Sequence, residues 1–389
     1  MKIALVILNA EPQRGGAERY TQDLAGALVA RGHDVYLLAS RFARSVEPAR
    51  QVHLEGAAGS RIARYRAFTT SVARHLQNRP YDIVHAMLPV PGCDLYHPHA
   101  GIEAENLENG HLRHGGHVHQ VISKLSNQLN RKRRLYARME RKMLQQGSAV
   151  LCLSNAMRQI AQHHYELANG QSHVLANGVD LDRYNPAGRG KSRIQIRRQH
   201  NIGATDVVAL LMSNNFRLKG LRQAIQVLHQ LAAAGRASAK LMVVGREPVD
   251  QYQNLAQRLG VADRVIFAGS TNDAPAMYAA ADLFVLPTAY DSCSLVVLEA
   301  MAMGLPVITT RQNGAAEAMH DGVHGFVIDT QADLQGLHEA WDALLHDALR
   351  TKMHAAALGL RPELSRERHV DRLLEIYQMV IARKGTTSR

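Results

Sequence analysis

The segment from Ala281 to Thr310 constrains the fold more than any other part of the chain. It reads ADLFVLPTAYDSCSLVVLEAMAMGLPVITT. An unbroken apolar run of strand length, Leu283 to Leu286, ends at a proline, which cannot donate to a sheet ladder. Leu295 to Met303 then suits a helix, with Gly304 where a helix C-cap glycine belongs, and a second apolar strand follows. The sequence therefore predicts a strand, loop, helix, strand unit.

Two acidic residues flank the start of this predicted helix. Asp291 lies just before it, and Glu299 lies eight residues further on, inside it. Because the amino end of a helix points free N–H groups and a positive dipole at a ligand, it favours a phosphate. A carboxylate on each side can then accept hydrogen bonds from the hydroxyls of a sugar and a ribose. A purely structural alternative is that Asp291 caps the helix and Glu299 lies on a solvated face.

Length and composition indicate a soluble globular protein with two domains. The 389 residues, 46% of them hydrophobic, suffice for two cores of ordinary size. No apolar run reaches the length of a membrane span, and the first one has no signal-peptide cleavage site, so we expect a cytoplasmic protein. Its three cysteines, Cys93, Cys152 and Cys293, are too few and too scattered for a disulfide framework.

The excess of positive charge is concentrated in one segment. The chain has 46 basic and 34 acidic residues, a formal charge of +12, and residues 111–146 contain nine Lys or Arg with the single acid Glu140. Apolar residues recur at mostly helical spacing over residues 119–144, which predicts a basic amphipathic helix typical of binding to an anionic membrane. An ordinary domain helix with a solvated face is the alternative. No nucleic-acid-binding motif accompanies the charge, so nucleic acid is not an expected partner.

Strand and helix patterns alternate through both halves of the chain. This alternation predicts an α/β protein with two doubly wound parallel sheets. Ligands of such sheets bind beyond the carboxyl ends of the strands. Residues that directly follow a predicted strand are therefore the candidates for a functional site.

Two candidate positions follow predicted strands in the first half. Gly15 and Gly16 lie between the first strand and the first helix, where a glycine pair lets the backbone approach a ligand or simply makes a tight turn. His97 and His99 follow a later strand. They could bind a metal, but no third ligand has useful spacing, and a satisfied structural histidine is the other alternative. Of the two histidines, we favour His99 as the functional one, because it precedes the flexible turn at residues 100–101.

A further candidate lies in the second half. Arg217 and Lys219 come between the strand Val207 to Ser213 and a helix that starts near Leu221. Two cations held there can neutralise the charge that develops on a leaving diphosphate. The alternative is a pair of solvated loop residues.

The segment from Asp291 to Val307 resembles the E-x7-E signature of the family 4 glycosyltransferases. The match is almost residue for residue from Leu295 onward, with Asp291 in place of the first Glu and Ser292 to Ser294 in place of Gly-Phe-Gly. Further elements that are similar to this family occur along nearly the whole chain: Gly15-Gly16-x-Glu18-Arg19, DIVH at 82–85, NGVD at 177–180, Lys219-Gly220 and DGVHG at 321–325.

The resemblance implies the GT-B architecture, in which two Rossmann-like doubly wound domains face each other across a cleft. Residues 1–186, joined by a C-terminal helix at 369–385, would form the acceptor-side domain. Residues 187–368 would form the domain that binds the nucleotide-sugar.

The resemblance also implies roles for individual residues. Asp291 and His99 would be the catalytic residues beside the transferring sugar, and Glu299 would bind the ribose. The donor diphosphate would contact glycine, cationic and helix-start residues: Gly16, Arg217, Lys219, Ser294, Leu295 and Val296. Because the cations and the helix would stabilise the diphosphate, we expect no essential metal and no other cofactor.

Within the family, the chain is most similar to the glucosyltransferases of lipopolysaccharide core assembly. This similarity implies transfer of a hexose, glucose in the first place, from a UDP-sugar to a membrane-anchored glycan with retention, by an enzyme peripheral to the inner face of the cytoplasmic membrane. One alternative is another nucleotide-sugar with a small-molecule or lipid acceptor. Another is a non-catalytic basic protein that binds membranes or nucleic acid, which would not explain Asp291, Glu299, Arg217 and Lys219 together. A sugar-nucleotide epimerase would need a dinucleotide fingerprint that the sequence lacks.

Overall fold

The computed structural model describes residues 1–43, 48–56, 58–78, 80–108 and 130–387. Its contacts divide the chain into two compact units, Met1–Ala176 with His369–Arg389, and Asn177–Arg368. Both are built on a parallel sheet with helices between most of its consecutive strands. The predicted α/β class with two doubly wound sheets is confirmed.

The first unit contains a seven-stranded parallel sheet in the order β5-β3-β1-β6-β7-β8-β9. Its strands and a short parallel pair are β1 Lys2–Val6, β2 Asn9–Ala10, β3 Asp34–Ala39, β4 Arg41–Phe42, β5 Arg50–His53, β6 Ile83–Ala86, β7 Leu95–Tyr96, β8 Ala149–Cys152 and β9 Ser172–Val174. Its helices are α1 Gly16–Ala30, α2 Arg61–Asn78, α3 Glu103–Glu108, α4 Arg131–Gln145 and α5 Asn155–His164, and most of α14 Arg366–Thr387 belongs to it. Apart from Lys2, β1 is apolar along its length, because helices cover both faces of a parallel sheet.

The second unit contains a six-stranded parallel sheet in the order β12-β11-β10-β13-β14-β15. Its strands are β10 Val207–Met212, β11 Ala239–Val244, β12 Val265–Gly269, β13 Leu283–Leu286, β14 Val307–Thr310 and β15 Gly325–Ile328. Its helices are α6 Gly190–Gln199, α7 Leu221–Ala233, α8 Asp250–Arg258, α9 Ala274–Ala280, α10 Leu295–Ala302, α11 Leu334–Leu344, α12 Asp347–Gly359 and α13 Arg361–Leu364. From β10 the chain builds the sheet outward to β12 and then returns to the other side of β10 with β13. The strand order therefore reverses between β10 and β13, which is where ligands of such sheets bind.

The boundary between the units lies ten residues before the predicted one. Residues 177–186, which the sequence analysis assigned to the first domain, lie in the second unit. The Val179 N–H donates to the Leu364 carbonyl at 2.7 Å, and the Val179 carbonyl accepts the Arg366 N–H at 2.8 Å. These bonds join segments nearly two hundred residues apart, so no local sequence pattern marks them.

The basic helix also differs from its prediction. The observed helix α4 begins at Arg131, because the Asn130 side chain accepts hydrogen bonds from the backbone N–H groups of Lys132 and Arg133 and so caps it. Residues 119–129 of the predicted helix lie outside the described residues. The buried face of α4 includes Met143 and Leu144, so it packs against the protein as an ordinary domain helix does.

Candidate active site

Three loops of the second unit meet at the carboxyl ends of their strands. The β10–α7 loop contacts the β13–α10 loop through the Ala289 N–H, which donates to the Leu218 carbonyl at 2.9 Å. The β14 loop joins them through the Asp291 N–H, which donates to the Gln312 carbonyl at 3.0 Å. Because β10 and β13 are the strands at which the sheet order reverses, the meeting point lies where this fold binds ligands.

Lys219 and Asp291 form an ion pair in this place. The Lys219 Nζ lies 2.5 Å from the Asp291 Oδ2, and the two side chains are 15% and 21% exposed. The other carboxylate oxygen accepts the Cys293 N–H at 3.3 Å. Asp291 therefore does not cap α10 through its side chain, as the structural alternative supposed, but joins two loops.

Gly220 fixes the approach of the cationic loop. Its φ is +80°, and a Cβ there would lie 2.2 Å from the Pro287 carbonyl oxygen, closer than any side chain permits. Only glycine allows this backbone conformation next to the end of β13. Lys219, the residue before it, is thereby held beside the β13–α10 loop.

The amino end of α10 lies next to this ion pair in the sequence. Ser294 is the N-cap residue, and no side chain caps the helix there in the part of the chain that the structure describes. The Ser294 N–H donates to the Asn313 side-chain oxygen at 3.2 Å. Leu295 and Val296 are the first two residues of the helix, so their N–H groups belong to those that have no partner within it.

Glu299 lies inside α10 and is only 8% exposed. It accepts a hydrogen bond from the Tyr278 hydroxyl at 2.9 Å. The same hydroxyl lies 3.1 Å from the Val296 carbonyl oxygen. Glu299 is therefore not on a solvated face, and the structural alternative for this residue is wrong.

The remaining predicted donor residues lie in different settings. Arg217, two residues before Lys219, has an exposed side chain, and its carbonyl accepts a hydrogen bond from the Gln331 side chain. Gly16 is the first residue of α1 in the first unit, after the extended N-cap Gly15. The structure thus brings Lys219 and Asp291 into direct contact and places the other loop and helix-start residues of the second unit beside them in the chain.

His99 belongs to a buried aromatic cluster in the first unit. Its ring centroid lies 4.1 Å from that of His97 and 4.5 Å from that of Tyr20. His97 bonds to His85 at 3.2 Å, and Tyr20 bonds to His369 at 2.8 Å. Because the His369 Nδ1 faces the Ala176 carbonyl, which only accepts, Nδ1 carries the proton and the Tyr20 hydroxyl donates to Nε2.

The histidines of this cluster are neutral near pH 7. Burial, with a smaller repulsion from His369, lowers the pKa of His99 to about 3. Burial likewise lowers the pKa of His85 to about 3 and that of His369 to about 4. A neutral His99 can donate or accept a hydrogen bond, but it does not bring a positive charge to a substrate.

Two other chemistries find no support among the described residues. No group of three or more His, Cys, Asp or Glu side chains in them is arranged to hold a metal ion. Burial raises the pKa of the Cys293 thiol to about 12, so this cysteine of the candidate loop is protonated and is not a nucleophile.

Two residues that shape the site were not predicted from the sequence. Asn313 accepts the N–H groups of Ser294 and Ala315 through one side-chain oxygen, and so joins α10 to the loop after β14. An asparagine in the short loop after a buried strand is a recognisable signal for such a role. Tyr278 orients Glu299 from another helix, and no local pattern points to it.

Comparisons with known proteins agree with this arrangement. Residues 14–183 match Glycosyltransferase Family 4, and residues 192–358 match Glycosyl transferases group 1. Lipopolysaccharide glucosyltransferase WaaG of Escherichia coli (strain K12) is 28% identical over 328 residues, which cover 84% of this chain and 84% of that protein. A GDP-mannose-dependent alpha-(1-6)-phosphatidylinositol monomannoside mannosyltransferase of Mycolicibacterium smegmatis is 33% identical over 195 residues, which cover 48% of this chain and 49% of that protein.

Solved structures give the same result. The crystal structure of WaaG, a glycosyltransferase involved in lipopolysaccharide biosynthesis, matches with a TM-score of 0.80 at 25% identity and covers 96% of this chain and 99% of that one. The structure of Anabaena Alr3699/HepE in complex with UDP-glucose matches in fold, with a TM-score of 0.72 at 20% identity, and covers 99% and 100% of the two chains. The chain therefore has the GT-B architecture and belongs to the family 4 glycosyltransferases, related to the lipopolysaccharide core glucosyltransferase WaaG.

Proposed function

We propose that this glycosyltransferase moves glucose from UDP-glucose to a membrane-anchored glycan such as the lipopolysaccharide core, with retention of the anomeric configuration. The observation that carries the proposal is the Lys219–Asp291 contact beside the amino end of α10. It joins a cation suited to a diphosphate with an acid suited to a sugar hydroxyl.

Each part of the donor has a candidate partner. The diphosphate binds Lys219, Arg217 and the N–H groups at Ser294, Leu295 and Val296, where the helix dipole adds to the cationic charge. The ribose hydroxyls donate to Glu299, which also accepts a hydrogen bond from Tyr278. With this donor set, neither a metal ion nor another cofactor is needed.

The remaining proposed residues lie in the first unit. Gly16, at the start of α1, lets the backbone approach the donor phosphates. His99, with Asp291, is the proposed catalytic residue beside the transferring sugar. The neutral imidazole of His99 acts there as a hydrogen-bond partner for a sugar hydroxyl, since burial keeps it uncharged.

The names of relatives support the donor and the acceptor class. WaaG is named as a lipopolysaccharide glucosyltransferase, and HepE, of the same fold, was crystallised with UDP-glucose. We place the enzyme on the cytoplasmic face of the membrane, bound to anionic lipid through the basic residues of α4. No helix among the described residues combines the length and apolar character needed to cross a bilayer.

A second candidate is transfer from another nucleotide-sugar to a lipid or small-molecule acceptor. The relative from Mycolicibacterium smegmatis favours it, since it is named as GDP-mannose-dependent and acts on a phosphatidylinositol mannoside. Both candidates use the same diphosphate residues, so the base and the sugar distinguish them.

The test is transfer by the purified full-length chain from radiolabelled UDP-glucose, UDP-galactose or GDP-mannose to lipopolysaccharide with a truncated core. We expect label from UDP-glucose only, and NMR of the product should show the anomeric configuration of the donor. Glu299→Ala should lower kcat/KM by about tenfold to a hundredfold, since hydrogen bonds to a charged group contribute about 1.5–3 kcal/mol. The control is Glu339→Ala, which removes an exposed acid from α11. Label from GDP-mannose alone, or full activity in Glu299→Ala, would contradict the proposal.

A further inference from the structure

The second unit has a cavity at the amino end of strand β13, opposite to the candidate donor site at its carboxyl end. The cavity has a volume of about 350 Å³ and lies between α6, α9, α12 and the carboxyl end of α10. Asp282, which lines it, directly precedes β13, whereas Asp291 follows the other end of the same strand. This volume is within the range of small-molecule sites, about 300–1,000 Å³.

One wall of the cavity is cationic. Arg189, Arg193 and Arg350 line it, and Asp282 is the acid among its lining residues. Asp282 is already shared between Arg193, at 2.6 Å, and Arg197, at 3.1 Å. The wall therefore keeps a net positive charge.

The arginines are held in fixed positions. The Arg193 guanidinium bonds to the Ala281 carbonyl at 2.9 Å, and that of Arg350 bonds to the Leu344 carbonyl at 2.9 Å. Arg350 also forms an ion pair with Asp347 at 2.7 Å, which offsets its charge, whereas bonds to neutral carbonyls orient a guanidinium without cancelling its charge. Arg189 and Gly190 also form the amino end of α6, which no side chain caps among the described residues, so the helix dipole adds to the positive potential.

Apart from Thr351 and His354, the rest of the lining is mostly apolar. Tyr278, Met303 and Leu305 belong to it, together with alanine and proline side chains. An anion that also carries an apolar group would bury that group here, while its charge faced the arginines. A small inorganic anion would leave the apolar surface uncovered.

One lining residue connects the cavity to the candidate donor site. Tyr278 lines the cavity, and its hydroxyl donates to Glu299 and lies 3.1 Å from the Val296 carbonyl oxygen. Helix α10 also joins the two places, since its amino end belongs to the donor site and Met303, just past its carboxyl end, lines the cavity. Its eight residues span about 12 Å.

We propose that this cavity is a second ligand site, which binds a small amphipathic anion with one phosphate or carboxylate and an apolar body, and that its occupancy changes donor affinity through Tyr278 and Glu299. The proposed coupling rests on the proposed function, which assigns Glu299 to the ribose. The proposed binding to the cavity does not rest on it.

The binding test uses phenyl phosphate as the probe, with inorganic phosphate and phenol as its two halves, in thermal-shift and calorimetric titrations of the full chain. We expect phenyl phosphate to raise the melting temperature saturably and to bind at least about tenfold more tightly than either half, since burial of an aromatic ring stabilises a complex by more than 1 kcal/mol. Equal binding of phenyl phosphate and inorganic phosphate, or no saturable shift, would overturn the proposal.

Three variants assign the signal to the cavity. Thr351→Trp puts an indole at an exposed lining position and should abolish the shift, whereas Lys352→Trp, exposed on the same helix but outside the lining, should keep it. Lys219→Ala should also keep it, because that lysine belongs to the donor site. A shift that is lost in Lys219→Ala and kept in Thr351→Trp would place the probe in the donor site and refute the second site.

The coupling is measured as the Kd for UDP with and without saturating phenyl phosphate. We expect a change of about fivefold, the lower end of typical allosteric couplings, and an equal change in the Kd for phenyl phosphate when UDP is saturating. Tyr278→Phe should abolish the change while both ligands still bind. An unchanged Kd for UDP would refute the coupling, whereas phenyl phosphate binding without any nucleotide binding would refute the proposed function and leave the second site standing.

Discussion

The pairing of Lys219 with Asp291 means that the main candidate cation for the diphosphate already has an anionic partner. A diphosphate that binds Lys219 comes close to the Asp291 carboxylate as well, and the two negative charges repel each other. Since both side chains are largely buried, this repulsion is screened less than it would be at the surface. Asp291 should therefore weaken binding of the free nucleotide, although its proposed role is to position the sugar.

Asp291→Asn separates these two effects. The amide keeps the size of the side chain and removes its charge, so we expect the Kd for UDP to fall about three- to tenfold. Transfer should nevertheless slow by about a hundredfold, because the donor sugar loses the group that orients it. Calorimetry with UDP and initial rates of transfer check the two parts.

The matched control is Lys219→Met, which leaves Asp291 without its partner. It should weaken UDP binding, the opposite direction from Asp291→Asn. If UDP binds Asp291→Asn more weakly than the unaltered protein, the carboxylate helps to hold the nucleotide and our assignment of Asp291 is wrong.

At the scale of elements, four segments of the first unit meet at one buried carboxylate. Glu140 on α4 is fully buried and accepts hydrogen bonds from the Tyr96 and Tyr165 hydroxyls, both within 3.0 Å. The N–H groups of Glu103 and Ala104 at the start of α3 also donate to it. This one side chain therefore joins α4 to β7, to α3 and to the segment after α5.

We expect Glu140→Ala to lower the free energy of unfolding by about 3 kcal/mol or more, because it leaves two buried hydroxyls and two partly buried N–H groups without an acceptor. Glu140→Gln keeps one acceptor oxygen and should lower the free energy of unfolding by less. Urea unfolding followed by circular dichroism measures both. Equal losses in the two variants would mean that packing, rather than hydrogen bonding, is what Glu140 supplies.

The unaltered protein and Glu140→Gln should also differ in how their free energy of unfolding depends on pH. Burial raises the pKa of Glu140, and its hydrogen bonds offset this only in part. A carboxyl whose pKa is raised by folding favours the folded state only while it is protonated, so this contribution is lost as the pH rises above the ordinary value of 4.5. Relative to Glu140→Gln, the unaltered protein should therefore lose stability from pH 4.5 upward. A constant difference between the two would contradict the raised pKa.

Elements with clear end signals were predicted almost to the residue. Strand β13 at Leu283–Leu286 has its predicted bounds, and helix α10 begins at Leu295, as predicted, and ends one residue before the predicted Met303. Helix α7 starts at Leu221, directly after Gly220, as predicted. The apolar run at the start of the chain, in contrast, continues past the end of β1 at Val6, and Asn9–Ala10 pairs separately with β4. An apolar run shows that a segment is buried, but it does not show which neighbour the segment pairs with.

At the scale of the whole molecule, the sequence predicted two doubly wound sheets and the loops that carry the candidate site. Parallel strands have their carboxyl ends on the same side of the sheet, so the residues that follow β10, β13 and β14 lie together on that side. The sequence did not predict three features: the unit boundary, the Tyr278–Glu299 contact and the histidine cluster. Each depends on bonds between residues far apart in the sequence, such as His85 with Tyr377, and no periodicity or spacing encodes such pairs.

The net charge of +12 has one concentrated source among the described residues. Basic side chains on the exposed side of α4 recur at helical spacing: Arg131, Arg134, Arg138, Arg141 and Lys142. The opposite side is occupied, since the Tyr136 ring packs at a tilt against that of Tyr65, with centroids 4.1 Å apart, and Met143 is buried. If α4 binds a membrane, it therefore does so by charge, without inserting an apolar face.

Charge-driven binding makes a definite prediction for vesicles. The double variant Arg134→Glu/Arg138→Glu should lower the partition coefficient onto vesicles with anionic lipid at least about tenfold, since each basic residue near such a surface contributes about 1 kcal/mol. Cosedimentation with phosphatidylglycerol-containing vesicles measures this. The control Arg258→Glu/Lys352→Glu changes the net charge equally at exposed positions of the second unit and should have little effect.

Binding should also weaken between 50 and 500 mM salt, as screening requires. Equal losses in both double variants would trace the attraction to total charge, and equal binding to neutral phosphatidylcholine vesicles would rule out an electrostatic origin.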